Sequence, residues 1–534
     1  MTVGVREQPR GAGSPRPRPG SRAGLVGWLT GLALLAGVGY RLWLLGHATP
    51  PTNSDEATMG LAALHIARGD GFPVWFYGQQ YMGTLEAYLA APVFALAGEP
   101  SLLGLRLPTL ALYALFLLLA WRLTLRLTGD RWFGLLVVAL LALGSDRIVK
   151  NQLIAGGGYP EMNAAGVALA LLALDLATGR PGRRLRWAAW GFLAGLMLWV
   201  DPLVLPYVLA TGAVLLAFCR GELRGTAGVL LGAAAALGAA PLLAHSLVTG
   251  RNPLHAVLGA SGADASAGWV ERLHGGLLLG PPLGMGFCAP GRCATWQLWW
   301  ALALPVLLAV AAGTAWRVLR RPATAEAGPS PRVAAAMRLA LVLGAVATLG
   351  AYTLSSAAGL TPVESSRYLS CLLVSLPVLL WPLWTVVRRP GRWAFARPVA
   401  LVVLAATVGT AVHATWRSAQ TAPATRAAEA RHADLVTTLR QLGVRHVRAG
   451  YWTCNRLTFA SAEEVVCAVV DDTLRPGFDR YPPYRREVER AAAPAWVAPT
   501  GSPLAARLDE RLRAAPDSLD LVTLDGWRIY LPRA

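Results

Sequence analysis

Eleven apolar stretches, each close to one bilayer thickness, leave this chain few folds to choose from. They run over residues 24–46, 104–128, 132–145, 162–178, 187–200, 202–219, 225–248, 297–318, 338–358, 368–387 and 398–416. A helix needs about 20 apolar residues to cross the hydrocarbon core. Backbone in lipid must also satisfy its own hydrogen bonds, which favours helices over open strands. With 54% of its 534 residues hydrophobic and 15% charged, a water-soluble fold would have too little interior for the apolar surface. The expected fold class is mainly α, a polytopic membrane protein with about 11 transmembrane helices.

The net charge of +19 would point to nucleic acid in a soluble domain. Here the arginines sit in short loops between apolar runs, so they orient the chain in a membrane instead. Membrane lipids are the expected surroundings, and no nucleic-acid partner is expected. With the N-terminus inside, the inner loops carry Arg122, Arg126, Arg131, Arg180, Arg183, Arg184, Arg186, Arg220, Arg224, Arg317, Arg320, Arg321, Arg332, Arg338, Arg388, Arg389, Arg392 and Arg397. The outer loops carry only Arg68, Arg147, Lys150, Arg251, Arg272, Arg292 and Arg367. This places the protein in the cytoplasmic membrane as a multi-pass chain, N-terminus cytoplasmic and C-terminus extracytoplasmic.

Three regions follow. Residues 1–23, rich in Pro, Gly and Arg, read as a disordered cytoplasmic tail, and the run that follows is too long for a cleaved signal core. Residues 24–416 form the membrane domain. Residues 417–534 change character: "ATRAAEARHADLVTTLRQLG" and "SPLAARLDERLRAA" read as helices, "VRHVRAGYW" and "EVVCAVV" as strands, and "LDLVTLDGWRIYLP" as a closing hairpin. A small α/β domain on the outer face is expected. Cys288 with Cys293, and Cys454 with Cys467, could each close a short loop in an oxidising space. Cys219 and Cys371 read as inert residues in or beside spans. His245, His255 and His274 show no metal spacing.

The long outer loops hold most of the acids and aromatics, and the first of them opens with "NSDEA", residues 53–57. Asn53 or Ser54 can cap a helix, with Glu56 completing a capping box. A cap needs no pair of acids beside lipid, however, and charges at membrane depth are usually functional. The following "ATMGLAALHIARGDG" suits a helix lying on the outer membrane surface.

An outer acidic pair after the first span, a surface helix, Glu161 in the second outer loop, "RYL" at Arg367-Tyr368-Leu369 and an appended outer domain together resemble the GT-C superfamily of membrane glycosyltransferases. Within it, the chain looks like the branch of protein O-mannosyltransferases and the lipid A aminoarabinose transferase. Where those relatives carry a Pro-Pro-Leu element, this chain has "YGQQYMGTLEAYLAAP" at 77–92.

The resemblance implies transfer of a sugar, with inversion, from a polyprenyl-phosphate donor to an acceptor on the outer face. That acceptor is a protein, a lipid or a cell-wall glycan. It implies Asp55 as general base, Glu56 orienting it or raising its pKa by like-charge repulsion, and Glu161 as a second acid at the reacting centre. Arg367, with Tyr368, is the expected phosphate contact, and Lys150 beside Arg147 offers a second basic patch. Tyr77, Gln79, Tyr81, Glu86 and Tyr159 are the expected lining of a sugar site. Asp201, in "LWVDPLVLPY", reads as a turn residue. Paired acids can hold Mg²⁺ or Mn²⁺, so a divalent ion is open, with no metal ligand assigned. The competing function is a non-enzymatic transporter or flippase of lipid-linked sugars.

Overall fold

A computed structural model describes residues 21–250, 266–321, 330–389 and 391–533, the side chains of residues 21–23, 392 and 393 aside. The expected tail, apart from residues 21–23, and His255 lie outside the described residues.

Among the described residues, eight helices are long and apolar enough to cross a membrane: Gly24–Gly46, Leu102–Thr128, Tyr159–Ala177, Pro202–Leu223, Thr295–Leu319, Ser330–Leu354, Pro362–Arg388 and Ala394–Gln441. Two helix pairs are bent, Arg131–Ala142 with Asp146–Leu153 at 89° and Thr226–Gly238 with Ala240–Thr249 at 65°, and the described spans number ten if each pair counts as one. The first four helices are α1 (Ser21–Gly46), α2 (Ser54–Arg68), α3 (Leu85–Ala97) and α4 (Leu102–Thr128). They are followed by α5 (Arg131–Ala142), α6 (Asp146–Leu153), α7 (Tyr159–Ala177) and α8 (Arg183–Val200).

The expected span at 187–200 falls on α8, whose first turn carries Arg183, Arg184 and Arg186 and leaves a short apolar remainder. It is not among the described helices long and apolar enough to cross. Its end at Val200 accepts the Gly83 N–H (3.0 Å), and Trp199 Nε1 donates to the Val74 carbonyl (2.9 Å), in the loop that follows α2. It packs closely on Thr226–Gly238: a Cβ on Gly195 would lie 1.9 Å from the Ala235 carbonyl oxygen, so only a small residue lets the backbones approach.

The break between α5 and α6 has a visible cause. Fully buried Arg41 of α1 donates to the Leu143 carbonyl (3.0 Å) and to Gln152 Oε1 (2.7 Å). The last carbonyls of α5, which have no partner within their own helix, are thus satisfied by a cation.

The C-terminal region is an α/β unit whose five strands run in the order β2-β1-β3-β5-β4. They are β1 (His446–Ala449), β2 (Val466–Val469), β3 (Ala495–Pro499), β4 (Leu519–Leu524) and β5 (Trp527–Pro532). β1 pairs in parallel with β2 and β3; β5 is antiparallel to β3 and β4. The closing hairpin turns at Gly526, where φ is +81°. β3 and the helices Tyr451–Ala460 and Pro482–Arg490 have no counterpart in the sequence reading. Cys288 is bonded to Cys293 and Cys454 to Cys467, while Cys219 and Cys371 are free and buried.

This unit docks directly on α2. A Cβ on Gly60 would lie 2.5 Å from the Phe459 ring, and Asn455 donates to Thr58 Oγ1 (3.0 Å). His65 Nε2 lies 2.9 Å from Glu463, which also meets Arg68 and the Tyr484 hydroxyl. Burial pushes the Glu463 carboxyl up, but hydrogen bonds from His65 and Tyr484 outweigh it and hold the group below its usual range. Eleven residues of α2 are buried, so α2 is sandwiched between α3 and the C-terminal unit. It does not lie on a lipid surface as its sequence suggested.

Candidate active site

The site gathers where the N-termini of α2 and α7 meet the C-terminal unit. Asn53 caps α2, its side chain accepting the Glu56 N–H (2.8 Å), and the next two acids point different ways. Asp55 faces outward, about a quarter exposed. Its Oδ1 accepts from the Tyr451 hydroxyl (2.6 Å) and from Arg480 Nη2 (2.8 Å). Glu56 turns inward and takes a two-pronged ion pair from Arg106 of α4 (2.7 and 2.6 Å), with neither residue exposed. The capping-box half expected of Glu56 is thus replaced by a buried guanidinium.

The glycine run 156–158 brings the start of α7 against this point. Gly156, at φ +148°, would place a Cβ 3.4 Å from the Asp55 carbonyl; Gly158, at φ +69°, would place one 3.0 Å from the Asp201 side chain. The positive φ at both positions favours glycine, and at Gly158 the space is tight as well. Between them the Gly157 N–H turns toward Glu86 of α3, at 3.5 Å. Glu86 and Glu161 are both buried and stand close enough for each to feel the other's charge. Glu86 Oε1 and both Glu161 oxygens have no hydrogen-bond partner. Burial, then the neighbouring Glu161, push the Glu86 carboxyl well above the usual range.

Asp201 accepts the Leu203 N–H (2.8 Å), the turn role expected of it. Its buried charge also faces Glu161 and Arg367. Arg367 completes the wall. Its guanidinium lies 5.8 Å from the Tyr159 ring and 5.5 Å from the Tyr368 ring, and the two rings are stacked at 6.5 Å. Its Nε has no partner, and it feels the Asp55 charge across the chamber. Asn151 Nδ2 donates to the Arg367 carbonyl (3.0 Å) and pins the segment to α6. Tyr81 stands near Tyr368, Arg367, Arg480 and Asp201, and burial raises its hydroxyl.

Asp55, Glu86, Tyr159, Glu161, Arg367 and Tyr368 therefore gather around the start of α7, with Tyr81 and Asp201 beside them. Tyr77 does not: its hydroxyl meets His65 Nδ1 (2.7 Å) and its ring packs on Tyr481 (4.7 Å), in the joint with the C-terminal unit. Lys150 pairs with Asp146 (3.2 Å) on its own helix. Gln79 lines a separate groove of about 720 Å³ with Phe72, Val74, Phe76 and His245, and its Oε1 has no partner. Among the described residues, no group of three or more His, Cys, Asp or Glu is arranged to hold a metal.

Sequence reasoning missed Arg106, Arg480 and Tyr451. A lone arginine inside "LLGLRLPTL" was a usable signal, since such a charge needs a buried partner. No local pattern ties Arg480 to an acid 425 residues away.

No protein-family model matches the chain, and no curated protein matches it. Solved structures do. ArnT from Cupriavidus metallidurans bound to undecaprenyl phosphate superposes with a TM-score of 0.57 at 14% identity, over 96% of this chain and 98% of that one. Its apo state gives 0.54 at 15% identity, with the same coverage. The apo oligosaccharyltransferase of Archaeoglobus fulgidus gives 0.51 at 12% identity, over 95% of this chain and 74% of that one. With these neighbours spanning nearly its whole length, the chain has the fold of the GT-C membrane glycosyltransferases.

Proposed function

We propose that this protein is an integral-membrane glycosyltransferase. It moves a hexosyl or pentosyl unit from a polyprenyl-phosphate donor to an acceptor on the outer face of the cytoplasmic membrane, with inversion. The observation that carries the reading is the packing of acids and a cation around the start of α7: Gly156 lies against the Asp55 backbone, the Gly157 N–H faces Glu86, and Arg367 lies 5.8 Å from the Tyr159 ring. The fold supports it, as does undecaprenyl phosphate bound in one neighbour of that fold.

The acceptor hydroxyl oxygen attacks the anomeric carbon, and its proton passes to Asp55, the general base. Oδ2 suits that role, because the described hydrogen bonds to Asp55 use Oδ1. The bond from the anomeric carbon to the phosphate oxygen breaks, and Arg367 faces the departing anion. Glu86, holding its proton, donates to a sugar hydroxyl while Glu161 accepts from one. Tyr159, Tyr368 and Tyr81 supply rings against the sugar face. The N-terminus is cytoplasmic and the C-terminal unit extracytoplasmic.

The test is Asp55→Asn, which keeps the size and the acceptor oxygen for Tyr451 and Arg480 but cannot take a proton. Native membranes receive a panel of labelled polyprenyl-phosphate hexoses and pentoses, and label in acceptor is counted. Transfer should fall by about 10²-fold or more. Full transfer by Asp55→Asn overturns the mechanism. Labelled donor crossing sealed vesicles unchanged, with no new glycosidic bond, points to the transporter instead.

A further inference from the structure

We infer that Arg480 and Tyr451 of the C-terminal unit are positioning residues for Asp55, so that this unit is part of the reaction centre. The inference rests on the reading of Asp55 as the base.

Arg480 is nearly buried, and each arm of its guanidinium is committed. Nη2 donates to Asp55 (2.8 Å), Nε to the Tyr451 hydroxyl and Nη1 to the Tyr77 carbonyl (3.3 Å). Its plane lies 4.6 Å from the Phe76 ring and 5.7 Å from Phe478. A guanidinium fixed this way is a stationary fork. Tyr451 closes the triangle, accepting from Arg480 and donating to Asp55. Burial, then the Asp55 charge, raise its hydroxyl, so it stays a donor. Both bonds fall on Oδ1 and hold the carboxylate from one side, leaving Oδ2 to the acceptor.

The support behind this pair is covalent and polar. The Cys454–Cys467 bond ties the Tyr451–Ala460 helix to β2. The end of β2 holds the Arg480 loop, since Asp479 accepts the Val469 N–H (2.8 Å) and Arg485 donates to the Val469 and Gly477 carbonyls. On the membrane side, Ser54 donates to the Tyr451 carbonyl (2.7 Å), so the register is set one residue before Asp55. Around Asp55, the other charged groups are Arg367 across the chamber and Glu56, which Arg106 neutralises.

A role in holding the domains together would give the same contacts, so the test separates the two. Transfer is measured against donor concentration in native membranes, with the labelled polyprenyl-phosphate sugar that the wild-type protein uses. Freeing the carboxylate lowers the maximal rate about tenfold for Arg480→Gln, with the donor KM little changed. Arg480→Lys restores part of the rate. Tyr451→Phe, which keeps the ring and the guanidinium, lowers the rate the same way by less, and carries the test if Arg480→Gln does not fold. Glu463→Gln weakens the same joint at His65 and Arg68 and leaves the rate in place. An unchanged maximal rate in Arg480→Gln and Tyr451→Phe, or an equal loss in Glu463→Gln, overturns the inference. Full transfer by Asp55→Asn instead overturns the underlying mechanism.

Discussion

Two regions of this protein bury acids, and they bury them differently. Where α2 meets α4, Glu56 is matched by a two-pronged guanidinium. Where α3 meets α7, Glu86 and Glu161 face each other with three oxygens unpartnered. Burying a charge is costly unless it is paired and hydrogen-bonded, so the first arrangement is a structural joint. The second keeps polar capacity unspent in a chamber shared with an arginine and three tyrosines. Burial is the same in both; the partner tells them apart.

That contrast breaks most visibly at the joint. Glu56→Ala or Arg106→Ala leaves one buried charge uncompensated, at a cost of about 3–5 kcal/mol, read as a lower unfolding temperature in detergent. Replacing both by methionine should recover most of the loss. If neither single change destabilises, the pair is not the joint we describe.

At the unpaired acids the expectation reverses. Glu161→Gln should lower transfer about 10- to 100-fold, the worth of a charged hydrogen bond, while the unfolding temperature stays at or above that of the wild type. A large stability loss without a rate effect would make Glu161 structural.

A smaller change sharpens the same point through pH. The folded protein keeps the Glu86 proton at pH values where the unfolded chain, near its ordinary 4.5, has lost it. Folded chains then bind more protons than unfolded ones, so stability falls as pH rises above 4.5 toward the raised folded value. Glu86→Gln removes that slope and should be the more stable protein at neutral pH. Parallel stability–pH curves for wild type and Glu86→Gln would refute this. The smallest effect belongs to the cap: Asn53→Ala should cost about 1 kcal/mol and leave transfer nearly unchanged, separating capping from catalysis within "NSDEA".

The fold was largely legible. Apolar length and loop arginines are local signals, and each expected span falls on helix, with α8 short for the reason its first-turn arginines give. The closing hairpin and two C-terminal helices were readable from their periods. β3 and the Tyr451–Ala460 helix were not, because short elements carry little periodicity. Asp55, Glu161 and Arg367 gather around the start of α7 as a set chosen by type and position. Tyr77 and Lys150 were drawn by the same logic, yet His65 and Asp146 already engage them. Residue type cannot show what a neighbour in space has claimed.

The sequence by itself determined that this chain carries many segments fit to cross a membrane and that acids collect in the loops between a few of them. These follow from solvation, which each segment meets on its own. Only the tertiary structure decided which cation each acid meets. Glu56 found Arg106 50 residues on, and Asp55 found Arg480 425 residues on. Such pairings depend on where the backbone brings two charges together, and no stretch of sequence encodes that distance.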